Sequence, residues 1–245
     1  MVLTVAKNLR KMATFTPYVM FGVHPLFGDY VDAIHACGGY LARVVMNVPE
    51  PERPAGDRFL DKLAKYHDWL ARTGSSHRVE VIWLDQYTPC DEEIPMLGFR
   101  GTKALPLVDR LKKEYNLAFP PLVHPKASVS PMADLEEGVF IGAGAVIASN
   151  VRVGAFSLIN RGVTLGHDVI VERCVVVSPS ACTASGVRLG EGCIVGIGAT
   201  VVDNVSIGSG AYVAGGAVVL KDVLRGTLVA GVPAVLKKMI DGAGT

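Results

Sequence analysis

The chain has no run of eighteen apolar residues, no block of five or six like charges and no CxxC pair. The first absence argues against a membrane-spanning helix. The second removes the electrostatic footprint of a nucleic-acid binder, since 24 Lys and Arg nearly cancel 23 Asp and Glu, so neither nucleic acid nor membrane is expected as a partner. The third leaves Cys37, Cys90, Cys174, Cys182 and Cys193 without zinc or redox spacing, and they read as small buried hydrophobes in a reducing cytosol, with no metal implied. The opening KNLRK and MATFTPYVMFGV imitate a secretory leader, but Pro17 interrupts the apolar part and no small-residue cleavage site follows. The expectation is an extension leading into a first strand, in a cytoplasmic protein.

What is present is an apolar chain, 50% hydrophobic and 19% charged over 245 residues, long enough to bury a real core. Residues 17 to 116 alternate in the manner of an α/β domain. YVMFGV (18 to 23) and YLARVVMNV (40 to 48) are strand-like runs, separated by a segment in which Val31, Ile34 and Ala36 suggest a helix ending at Gly38 and Gly39. A second helix over about 57 to 73, a strand over 77 to 87 and a third helix over 104 to 116 complete a small Rossmann-like parallel sheet, assigned to residues 1 to 120.

From Val123 the period becomes six. Val129, Leu135, Ile141, Ile147, Val153, Ile159, Leu165, Val171, Val177, Thr183, Leu189, Val195, Val201, Ile207, Val213 and Val219 follow without an insertion, and Thr183 alone is not aliphatic. Gly142, Gly154, Gly166, Gly190, Gly196 and Gly208 come directly after the aliphatic residue, where tight corners would need them. Helices repeat at 3.6 and strands at 2, so a strict six means a solenoid of stacked coils. Residues 121 to 245 are assigned to it, with a C-terminal tail. Thr183 is expected to be hydrogen-bonded within its turn.

This [LIV]Gxxxx series resembles the hexapeptide-repeat acyltransferases, whose triangular coils hold 18 residues. The resemblance implies a left-handed parallel β-helix and a homotrimer. An α/β opening followed by HPKASVSP (124 to 131), Asn160, GHD (166 to 168) and GVPAVLKK (231 to 238) is similar, more narrowly, to the sugar acyltransferases related to sialic acid O-acetyltransferases and to N-acetyltransferases of UDP-4-amino-sugars. By that resemblance His167 is the general base, Asp168 its orienter, and Asn160 a contact of the acceptor sugar. A neutral-range imidazole can take the proton of an attacking amine or hydroxyl, and a neighbouring carboxylate can fix its tautomer. Because adjacent residues on a strand face opposite ways, Asp168 can serve His167 only if a corner lies there.

The same resemblance implies acetyl-CoA as acyl donor, in a groove along the coils between subunits. Stacks 179, 197, 215 and 167, 185, 203 are expected along one edge, which makes Ser185, Ile197, Ala214 and Gly215 lining residues. Pro233 would fold back near the adenine and Lys237 or Lys238 would be available to the 3′-phosphate. GVHPLFGD (22 to 29) keeps Gly22 and His24 of a glycine-rich turn that would cradle a nucleotide sugar. Two departures stand out: Val176 occupies the place where many members carry a second histidine, and Asn47 and Val48 stand where an acidic residue commonly ends the second strand. The expected activity is acetyl transfer to the amine of a nucleotide-linked amino sugar; the alternatives are a sugar O-acetyltransferase of the sialic acid type and a non-catalytic nucleotide-sugar-binding scaffold. A γ-type carbonic anhydrase would need three convergent histidines, and the repeat holds only His124 and His167.

Overall fold

The computed structural model describes residues 15 to 23, 25 to 52 and 54 to 240. The chain divides into two compact units, Met1–Phe99 and Arg100–Thr245, which are taken in turn.

In the first unit, strands β1 (Thr16–Phe21), β2 (Gly39–Met46), β3 (Glu80–Trp83) and β4 (Ile94–Leu97) form one parallel sheet in the order β3-β2-β1-β4. Helix α1 (Phe27–Ala36) joins β1 to β2, and α2 (Phe59–Arg72) joins β2 to β3. Helix α2 buries Phe59, Leu63, Tyr66 and Leu70, a stripe at four- and three-residue steps that faces the core. In α1 the buried face is Phe27, Tyr30, Val31, Ala33 and Ile34; Ala36, expected among the apolar positions, is exposed.

Two features differ from the sequence reading. The strand expected over 77 to 87 is only four residues long and gives way to a 3-10 turn at Leu84–Gln86. Strand β4 is not among the elements expected from the sequence, and within it stands Pro95. It is tolerated because β4 lies at the sheet edge and pairs only with β1, where a residue lacking an N–H costs least.

The second unit begins with a 3-10 turn at Thr102–Ala104 and α3 (Leu105–Tyr115). The change of period lies near residue 120, whereas contact density divides the chain ahead of α3. Seventeen two-residue strands follow, from Leu122–Val123 to Val218–Val219. They stack in three parallel faces, each residue pairing with the one 18 positions on: Leu165 with Thr183, Thr183 with Val201, Val153 with Val171. Strands β22 (Thr227–Ala230) and β23 (Val235–Met239) close one face, β23 running antiparallel.

The inward column predicted from the six-residue period is the core of this unit: Ile141, Val153, Ile159, Leu165, Val177, Leu189, Val195, Val201 and Val213 are fully buried. Fully burying one such side chain is worth about 1.5–3 kcal/mol. The glycines directly after them are required by the next coil rather than by their own φ. A Cβ on Gly166 would stand 2.7 Å from the Ala184 carbonyl carbon. The left-handed turn positions come two residues later, every sixth residue from Gly138 to Gly216, and they include Asn150, Phe156, Asp168, Cys174, Ser180 and Asn204.

Expectations about four residues are corrected. Cys37 and Cys90 are exposed and Cys182 is half-buried, so only Cys174 and Cys193 are core cysteines. None of the five is in a disulfide. Thr183 is inward and 1% exposed, but its hydroxyl meets no hydrogen-bonding group of the protein. Its neighbours in the column are Leu165 and Val201, and the surrounding carbonyls are already taken by the ladder. A buried polar group without a partner costs more than it contributes. Thr183→Val is therefore expected to raise stability by about 1 kcal/mol, read as a higher urea midpoint with an unchanged m-value; a lower midpoint would show that the hydroxyl is satisfied after all.

Candidate functional site

The segment Gly166 to Val169 turns the chain between strands Thr164–Leu165 and Ile170–Val171. Its backbone is held from both sides. Asp168 N–H donates to Ser149 O in the coil below at 3.1 Å, and His167 O accepts from Gly186 N–H in the coil above at 3.0 Å. Asp168 has φ of 61°, the left-handed region that Asp and Asn tolerate better than other side chains. That reversal is the corner on which the pairing depends. It brings Asp168 Oδ2 to 2.6 Å from His167 Nδ1, with both side chains more than half exposed.

The protonation pattern follows from donor and acceptor chemistry. An ionised carboxylate only accepts, so Nδ1 carries the proton and, in the neutral imidazole, Nε2 is the nitrogen left with a lone pair. The hydrogen bond from His167, with a second from Asn150, holds the Asp168 carboxyl below its ordinary value of 3.8. Asn150 Nδ2 donates to Asp168 Oδ1 at 3.0 Å from one coil below. Asn150 is not among the candidates expected from the sequence; the signal that would have found it is its spacing of 18 from Asp168 at an equivalent turn position.

The other candidates fall in several places. Ser185 stacks above His167, and its N–H is taken by Asp203 Oδ1 at 3.1 Å. Ile197 and Gly215 follow strands Ile194–Val195 and Tyr212–Val213 of the first face, whereas His167 and Ser185 follow Thr164–Leu165 and Cys182–Thr183 of the next. The two stacks expected along one edge therefore lie on two edges of the prism. Six residues carry the chain around a whole face. Ile197 is 63% exposed, and Gly215 leaves it room: a Cβ there would touch the Ile197 Cγ2 at 3.0 Å. Ala214, half-buried, adjoins Gly215.

Asn160 shares the corner column of the first face with Ser178 and Gly196, not that of His167. It is 5% exposed, and its Oδ1 accepts the Arg161 N–H at 2.8 Å. Val176 lies in an outward apolar row between Leu158 and Ile194. At the C-terminal end, Ala234 N–H donates to Val218 O, so the GVPA turn does close on the last coil. Pro233 and Lys237 are exposed there.

In the first unit Gly22 ends β1 with φ of 71°, its N–H donated to Val45 O at 2.8 Å. A Cβ on it would press into the Phe99 ring at 2.6 Å and meet Asn47 Oδ1 at 3.0 Å. The position lies between β2 and β4, where strand order reverses, just ahead of α1. Parallel sheets take ligands at such a point. His24 lies outside the described residues.

Among the described residues no group of three or more metal-binding side chains comes together, and no helix is long and apolar enough to cross a membrane. A recess of about 530 Å³ lined by Arg43, Arg78, Glu80 and Glu93 carries no comparable chemistry, since Arg43 is already bonded to Glu93 and to Thr88 O.

No protein-family model matches the chain. Serine acetyltransferase 2 of Arabidopsis thaliana is 35% identical over 115 residues, covering 46% of this chain and 32% of that protein. The chain spans less than half the length of the curated relatives it matches. Among solved structures, a histidine-to-asparagine variant of perosamine N-acetyltransferase from Caulobacter crescentus, in complex with CoA and GDP-perosamine, is 24% identical with a TM-score of 0.69, covering 93% of this chain and 98% of that one. The acetyltransferase domain of PglB from Neisseria gonorrhoeae, in complex with acetyl coenzyme A, is 21% identical with a TM-score of 0.72, covering 91% and 100%. The fold expected from the hexapeptide resemblance is thus borne out, an α/β region followed by a left-handed parallel β-helix.

The pair has a pH signature. A carboxyl held low in the folded state contributes stability above its unfolded value and loses it as pH falls through the folded one. His167→Gln is expected to move the Asp168 carboxyl midpoint upward toward 3.8, followed by 13C NMR of the side chain; an unmoved midpoint would mean that the imidazole is not its partner in solution.

Proposed function

We propose that this protein is an acetyl-CoA-dependent acetyltransferase that acylates the amine of a nucleotide-linked amino sugar, with His167 as general base. The observation that carries the reading is the 2.6 Å contact from His167 Nδ1 to Asp168 Oδ2 on an exposed corner. A histidine serving only the stack would not need a carboxylate on Nδ1 with its ring left more than half exposed.

Nε2 accepts the proton of the acceptor nitrogen as that nitrogen forms its bond to the thioester carbonyl carbon. Asp168 stabilises the resulting imidazolium without leaving its hydrogen bond. The carbon–sulfur bond then breaks, and His167 returns the proton to the departing thiolate. An acyl thioester supplies an already activated carbonyl, so no nucleophilic serine or cysteine is required. With Val176 in place of a second histidine, the developing oxyanion would rest on backbone N–H groups.

Coverage supports the sugar reading over serine as acceptor. The sugar N-acetyltransferase likeness extends over 93% of this chain and so includes the α/β unit, whereas the serine acetyltransferase match reaches 46%. An α/β unit with a glycine at its switch point suits a nucleotide, and Gly22 with its close neighbour Asn47 is the proposed contact. For the donor, the exposed Ile197 beside Gly215, the chain end at Pro233 and Lys237, and Ser185 above His167 are the proposed lining, with cytoplasmic acetyl-CoA as the source. Asn160 is proposed to approach the acceptor only with a change of its side-chain bond to Arg161 N–H, since it is buried in the single chain.

Acetyl-CoA consumption against a panel of nucleotide-linked amino sugars and free sialic acids separates N- from O-transfer and both from a non-catalytic binder. His167→Asn is expected to lower the rate roughly 10²- to 10⁴-fold with an unchanged melting temperature. Near-full turnover in that variant would sink the general-base assignment. If the donor groove is completed by a neighbouring subunit, light scattering should report three times the 26.0 kDa chain mass; a fully active monomer would overturn the shared site.

A further inference from the structure

The geometry points to Asn150 as a positioning residue that holds the Asp168 carboxylate for His167 from the coil below, an inference that rests on the reading of His167 as the base. Each oxygen of the carboxylate has its own donor: Oδ2 takes His167 Nδ1–H at 2.6 Å, and Oδ1 takes Asn150 Nδ2–H at 3.0 Å. Two donors on opposite oxygens fix the plane of a carboxylate that one donor would leave free to rotate.

The turn itself does not need this amide. Residues 150, 168, 186 and 204 are Asn, Asp, Gly and Asn, all in the left-handed region with φ of 59°, 61°, 68° and 60°. Gly186 satisfies the same corner one coil above Asp168 with no side chain at all. The turn therefore asks only for a residue that accepts positive φ, and the side chain at 150 is available for another use. Because Asn150 shares both the conformation and the corner column of Asp168, its amide arrives beside the carboxylate without any long flexible stem.

The chemistry of the donor suits the role. A lysine or arginine at 150 would orient Asp168 but would also compete with the imidazolium for its charge. A neutral amide orients it and leaves the full negative charge to face His167 when His167 takes up a proton. The depressed ionisation of Asp168 has Asn150 as its second cause, consistent with a hydrogen bond to the charged form.

Asn150→Gly removes the amide and keeps the turn. It is expected to lower kcat about 3- to 10-fold, with KM and melting temperature unchanged and the Asp168 13C midpoint moved upward. Adding Asn150→Gly to Asp168→Asn should cost nothing further, since both act through one group. If His167→Asn is inactive while Asn150→Gly turns over like the parent, Asn150 is a turn residue, and if the two losses multiply in the double variant it acts apart from Asp168; either outcome overturns the inference. If His167→Asn keeps its turnover, the base assignment has failed on its own account. The NMR midpoint of Asp168 in Asn150→Gly then decides: a shift supports the contact, and no shift overturns it.

Discussion

The pairing of each residue with the one 18 positions along the chain governs everything else in the second unit. It is a backbone constraint: each strand of two residues donates and accepts within a parallel ladder, so the coil must return after three faces to the same register. From it follow the inward aliphatic column, the tight glycines backed against the next coil, and the left-handed turn two residues later. A single inserted residue would rotate every later side chain away from its column, which is why the repeat runs unbroken from Val123 to Val219.

The turn column carries strain that the stack absorbs. A left-handed residue other than glycine costs on the order of 1 kcal/mol or more, and Phe156 at φ of 58° is the least suited of them. Its ring is accommodated because Gly138 lies in the same column one coil below, where a Cβ would come within 2.3 Å of it, and because it packs edge-on to Phe119 at 5.8 Å. Asp168 occupies the same kind of position but spends its side chain outward. The same corner geometry thus serves packing at one edge of the prism and a polar pair at another, according only to which residue stands there.

In the first unit the corresponding constraint is close approach between strand ends. A Cβ on Gly98 would meet the Gly22 carbonyl oxygen at 2.0 Å, and Gly98 N–H donates to Phe21 O at 2.9 Å. The ends of β1 and β4 are therefore drawn together at the switch point, leaving Asn47 as the polar side chain nearest Gly22. Sequence reading found Gly22 by its place in a glycine-containing turn. It could not find Gly98, which follows β4, a strand that Pro95 disguises in the sequence and whose partner β1 lies far back along the chain.

The sequence by itself determined the solenoid and its inward residues, because a six-residue period is a local property that survives without knowledge of any contact. It also determined α1, α2 and α3 to within a few residues, through apolar spacing and terminal glycines. Only the tertiary structure decided that Asp168 turns toward His167, since the sign of one φ is not written in residue type. It alone decided that Ile197 and Gly215 lie on a different edge from His167, that Thr183 stands unpaired, and that Asn150 reaches Asp168. Each of these depends on which coil lies above and below, and distance through space between coils does not appear in distance along the chain.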